Sequence, residues 1–69
     1  MEIGARNRLI ATVTEIKRGS VMCQVKVKLS GGEDMESVMT LDSLDDMKLK
    51  VGDKVRVAVK AVNVLLLKE

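Results

Sequence analysis

Ser20-Val21-Met22-Cys23-Gln24-Val25-Lys26-Val27-Lys28-Leu29-Ser30 alternates between apolar and polar residues along its length. One face reads Val21, Cys23, Val25, Val27 and Leu29; the other reads Met22, Gln24, Lys26 and Lys28. A period of two is that of a half-buried β-strand, and β-branched residues on the inner face suit a pleated, packed surface. Lys54 to Lys60 repeats the pattern, with Val55, Val57 and Val59 inside and Lys54, Arg56, Ala58 and Lys60 outside. Leu9 to Lys17 alternates as well, with Leu9, Ala11 and Val13 against Ile10, Thr12, Thr14 and Ile16, so both faces carry apolar residues. Met35 to Thr40 is a shorter strand, and Val62 to Leu67 reads as a fifth.

Turn residues separate these runs. Arg18-Gly19 predicts a tight hairpin, Gly31-Gly32-Glu33-Asp34 a second turn, and Gly52-Asp53 a turn before the fourth strand. Leu41 to Leu49 breaks the alternation: Asp42 or Ser43 can cap a short helix, Asp45 and Asp46 suit its first turn, and Leu44 and Met47 lie three apart. Three strands, one short helix and two strands predict an all-β, OB-like, five-stranded, partly open barrel with the helix between strands three and four. An SH3-like barrel is the alternative with the same strand count.

Sixty-nine residues make one domain, residues 1–69. Below ~70–80 residues a lone core supplies roughly 3–5 kcal/mol, and small domains add disulfides, a metal or self-association. Cys23 is the only cysteine and there is no histidine, so neither an internal disulfide nor a structural zinc is available. Self-association is left, and a chain that is 46% hydrophobic has apolar surface to spare. The single thiol and the lack of a leader pattern fit a cytoplasmic protein. No apolar run approaches the ~18 residues of a membrane span. A net charge of +2 is a weak argument for nucleic acid, and without Phe, Tyr or Trp the stacking that gives about 1–3 kcal/mol per base is missing.

Catalysis has little to work with. Histidine is absent, Cys23 falls on the apolar face of its strand, and Asp42, Asp45 and Asp46 read as a solvated helical turn rather than a metal site. Gly31-Gly32 lacks the helix and Lys-Ser/Thr of a phosphate loop. The expectation is a protein that is no enzyme and holds no cofactor. Two segments offer anion chemistry instead. In Ile3-Gly4-Ala5-Arg6-Asn7-Arg8-Leu9, small residues beside Arg6 leave N–H groups open next to a guanidinium, the makings of an oxyanion cradle. In Val59-Lys60-Ala61-Val62, Lys60 ends the polar face of a strand and Ala61 lets its N–H approach a ligand. Taken alone, the first reads as a solvated start and the second as an ordinary strand lysine.

A resemblance changes both readings. Ala5-Arg6-Asn7-Arg8-Leu9, Val13-Thr14-Glu15-Ile16-Lys17-Arg18-Gly19-Ser20-Val21, Leu29-Ser30-Gly31-Gly32, Thr40-Leu41-Asp42-Ser43-Leu44, Leu49-Lys50-Val51-Gly52 and Val59-Lys60-Ala61-Val62-Asn63-Val64 follow one another with the spacing of the molbindins. These are small Mop-type molybdate-binding proteins made of one TOBE domain, and the ordered set spans nearly the whole chain. The resemblance implies a binder of molybdate or tungstate for intracellular molybdenum storage and homeostasis. It implies a homohexamer, a trimer of dimers, with anions held between subunits, and no nucleic-acid or membrane partner.

Carried over residue by residue, Arg6 resembles the family's anion-binding arginine, Lys60 its lysine and Thr40 a hydroxyl donor, while Gly4, Ala5 and Ala61 offer backbone donors. The family's usual Ser-Ala-Arg-Asn reads Gly4-Ala5-Arg6-Asn7 here, so one hydroxyl is missing. Lys60-Ala61 stands where relatives have Lys-Ser or Lys-Ala, and Cys23-Gln24 where many have Ala-Glu. The family also has a second kind of site, for which Lys17, Gly19 and Ser20 in the Lys17-Arg18-Gly19-Ser20 turn are the candidates. The alternative reading is an OB-like interaction or oligomerisation module that binds no anion.

Overall fold

The computed structural model describes residues 7–68. Four strands and one helix follow in chain order: β1 (Asn7–Arg18), β2 (Met22–Leu29), β3 (Asp34–Thr40), α1 (Leu41–Met47) and β4 (Lys54–Val59). All pairings are antiparallel, in the sheet order β3-β2-β1-β4. β1 is the shared strand. Its first half pairs with β4, from Asn7 opposite Val59 to Thr12 opposite Lys54. It pairs with β2 from Ala11 opposite Leu29 to Arg18 opposite Cys23.

The two halves of β1 are offset by a register shift between Val13 and Glu15. An extra residue in one strand bends it and increases its twist. Here the shift is locked from both sides. The Thr14 hydroxyl donates to the Lys26 carbonyl at 3.2 Å, the Val13 N–H donates to the Asp53 carbonyl at 2.9 Å, and the Gly52 N–H donates to the Val13 carbonyl at 2.8 Å. Gly52 makes that approach at φ +96°, a conformation in which an L side chain is strained. The sheet therefore curls into a half-barrel, with its inner face on the core.

The bulge also corrects the expected facing of β1. Strict alternation puts Ile16 outside with Thr12 and Thr14. The extra residue inverts the parity, so Ile16 lies opposite Val25 and packs against the core, while Glu15 and Lys17 share the outer face. Buried Ala11 and Val13 from β1, Cys23, Val25 and Val27 from β2, and Leu44 from α1 form that core. Val21, expected inside, precedes β2 and is 68% exposed.

α1 seals one end. Its cap is Thr40, the last residue of β3, rather than Asp42 or Ser43: extended at φ −71°, ψ 153°, its hydroxyl accepts the Ser43 N–H. The strand thus ends in the conformation that an N-cap needs. Asp42 lies in the first turn, where its charge suits the helix dipole. The helix stops at Lys48, whose N–H reaches the Asp45 and Leu44 carbonyls from a left-handed conformation, φ 53°. The end of the chain departs from expectation. Val62 to Leu67 is no fifth strand among the described residues: Ala61–Asn63 form a 3-10 turn, and the following residues pair with nothing described. A tight return along β4 calls for Gly or Asn-Gly in the turn, and Lys60-Ala61-Val62-Asn63 supplies no glycine. Without that strand, a groove of about 180 Å³ lies open, lined by Val25 and Val27 of β2, Met35 and Met39 of β3, and Val55 and Val57 of β4.

Leu44→Ala should cost about 2–5 kcal/mol, enough to unfold much of a domain this small, and Lys48→Gly should gain about 1 kcal/mol by relieving the left-handed turn. Chemical denaturation of the two variants checks both signs.

Candidate oxyanion-binding site

Gly4, Ala5 and Arg6, the first half of the expected cradle, lie outside the described residues. The chain enters the described structure at Asn7, which pairs with Val59. The second half follows directly from that pair. Lys60 comes next after Val59, is exposed, and starts the 3-10 turn: the Asn63 N–H donates to its carbonyl at 2.9 Å, and the Val64 N–H to that of Ala61 at 3.2 Å. Its ammonium carries no ion pair among the described residues.

Thr40 lies at the opposite pole. It pairs with Met22, just beyond the end of β1 where Arg18 meets Cys23. β1 has 12 residues between the two poles, which at about 3.3 Å each is roughly 36–40 Å of strand, and the longest dimension of the molecule is 37 Å. One chain therefore does not bring Thr40 and Lys60 to a common anion. The Thr40 hydroxyl is also engaged locally: it accepts from the Ser43 N–H at 3.1 Å and donates to the Ser43 hydroxyl at 2.9 Å. Its lone pair serves the helix, and its proton reaches a ligand only by turning away from Ser43.

The structure groups Thr40 instead with the residues of the second candidate site. The turn after β1 closes through the Gly19 N–H, which donates to the Met22 carbonyl at 2.8 Å. A Cβ on Gly19 would sit 2.9 Å from that oxygen. Gly19 is thus needed for a close approach, and its amide is already spent. Lys17 lies 3.4 Å from Glu15. Arg18, turned toward the helix by the bulge, lies 3.1 Å from Asp45. Lys17 and Ser20 remain as donors there.

Cys23 is buried on the inner face, 3% exposed. Among the described residues no group of three or more His, Cys, Asp or Glu could hold a metal ion, and no helix is long and apolar enough to cross a membrane. Sequence reasoning missed the capping role of Thr40. A hydroxyl three residues before Ser43, at the strand end, was the signal for it.

The model of the TOBE domain family matches residues 4–66. The chain belongs to that family and, within it, to the Mop type, the molbindins. It is 34% identical to molybdenum-pterin-binding protein 3 of Clostridium pasteurianum, over 97% of this chain and 98% of that one. A molybdate-binding protein from Sporomusa ovata superposes with a TM-score of 0.92 at 41% identity, over 99% of this chain and 100% of the other. ModG, described as a cytoplasmic molybdate-binding protein and solved with molybdate bound, superposes with a TM-score of 0.83 at 39% identity, over 88% of this chain and 43% of its own. The two superposed proteins share the OB-like fold.

Thr40→Ala should lower the stability of the anion-free protein by about 1 kcal/mol through the lost cap, while Asp45→Asn, breaking an exposed pair, should change it by less than about 1 kcal/mol. Thermal melts without added molybdate check both.

Proposed function

We propose that this chain binds molybdate, or tungstate, between subunits of a cytoplasmic homo-oligomer, a hexamer built as a trimer of dimers, and serves molybdenum storage and homeostasis without catalysing a reaction. The separation of Thr40 from Lys60 by the whole length of β1 carries this reading. A tetrahedral dianion has four acceptor oxygens and no donor at neutral pH. It needs several converging donors and positive charge, which charge-assisted hydrogen bonds supply together. Arg6, Lys60, the Thr40 hydroxyl and the amides of Gly4, Ala5 and Ala61 are such a set only when chains are pooled. Lys17 and Ser20 serve a second site on the same principle. Size distinguishes molybdate from the smaller sulfate, since their charges are equal.

The open groove supports the oligomer. β3 and β4 are the sheet's two free edges, and an apolar, extended segment is what such a groove accepts. Leu65, Leu66 and Leu67 are 86%, 91% and 92% exposed. The tail of a second copy, laid between β3 and β4, closes the barrel and places that copy's Lys60 at the partner's seam. The same exposed tail favours one other reading, an oligomerisation module without a ligand.

Molybdate titrated against the purified oligomer by equilibrium dialysis, with elemental analysis of both compartments, should show saturable uptake at physiological salt; its absence leaves only the oligomerisation module. Arg6→Ala and Lys60→Ala should each weaken uptake roughly ten- to a hundredfold, the loss of a charged hydrogen bond of about 1.5–3 kcal/mol, while the oligomer's mass in solution is unchanged.

A further inference from the structure

The outer face of the sheet is electrostatically divided. Over β3, β2 and the second half of β1 its cations are matched: Lys17 with Glu15, Lys26 with Glu36 and Lys28 with Asp34, at 3.4 to 3.9 Å. On the β1–β4 side they are not. Val55, Val57 and Val59 are the half-buried residues of β4, so Lys54, Arg56, Ala58 and Lys60 project outward. The break in that basic row, at Ala58, is filled across the strand pair by Arg8, which lies opposite it. None of Lys54, Arg56, Arg8 and Lys60 has an acidic partner within 4 Å among the described residues. Same-face neighbours on a strand are about 6.6 Å apart, and the screening length at physiological salt is about 8 Å. The field of each cation therefore overlaps that of the next, and the row ends at Lys60.

We propose that Lys54, Arg56 and Arg8 form a collecting track that captures small tetrahedral dianions from solution and passes them along β4 to Lys60. They are steering residues and not ligands. This rests on the reading of Lys60 as an anion ligand. A like-charged surface cannot cover itself in a two-fold contact without repulsion, which keeps the track open to solvent in a symmetric dimer. Steering of this kind raises association rates by about tenfold or more at low salt and fades as salt screens it.

The test uses the full-length oligomer, with molybdate association and dissociation followed by stopped flow through the anion's own ultraviolet absorption. Lys54→Gln/Arg56→Gln should slow association about three- to tenfold at 20 mM ionic strength, by the same field argument, leave dissociation unchanged, and match the parent at about 500 mM, where the screening length falls to a few ångströms. Lys54→Glu/Arg56→Glu should slow it further. Association unaffected at low salt overturns the track. So does faster dissociation at both salts, which would make Arg56 or Lys54 a direct ligand. Retention of a single-stranded oligonucleotide by the parent but not by the variants would assign the face to nucleic acid and overturn it as well. If the parent itself takes up no molybdate, the Lys60 reading falls first; if it binds and the rates ignore these charges, only the track falls.

Discussion

β1 is the strand on which the rest of the molecule depends, because among the described strands it alone joins β4 to β2 and, through β2, to β3. β4 holds its first half and β2 its second, and the bulge at Thr14 lets the two ladders leave at different angles. Without the bulge, the inner-face parity would run unbroken, Ile16 would face solvent, and Arg18 would lose its approach to Asp45 on α1. With it, a 12-residue strand turns through the curl that makes six buried side chains a core.

The same strand sets the two poles apart. One carries the Gly19 turn, Thr40 and the helix that Thr40 caps; the other carries the Asn7–Val59 pair and Lys60. Donors divided in this way suit a site completed by neighbours rather than one enclosed by a single chain. The core tells the same story. Six buried residues among those described are few for a chain that is 46% hydrophobic, and the described surplus is concentrated in the groove between β3 and β4 and in the tail that leaves β4. A domain of this size is stabilised marginally by its own core, and burying that surplus against another copy, as proposed above, would link stability to assembly.

Charge is arranged as economically as apolar surface. Exposed ion pairs on β2 and β3 add little stability, yet they cancel the field over half of the outer face. The unmatched cations on β1 and β4 then dominate the potential that an approaching anion meets. A net charge of +2 conceals this division, since Arg8, Lys54, Arg56 and Lys60 alone exceed it and the acidic residues elsewhere bring the sum down.

Much of the architecture was legible in the residues. Alternation at Met22–Leu29 and Lys54–Val59 marked strands because a half-buried strand has no other way to separate its faces, and Leu44 among acidic residues marked a helix with one buried side. The ordered motifs also identified the family and the candidate anion residues. Three things were decided by the tertiary structure. The bulge reverses the facing of Ile16, because a register depends on the partner strand and not on the strand's own pattern. Thr40 serves as a cap because β3 happens to end where α1 begins. The tail from Val62 stays outside the sheet because the 3-10 turn at Ala61–Asn63 does not return it along β4, and the direction in which a chain leaves a turn is a property of the fold, not of five apolar residues among six.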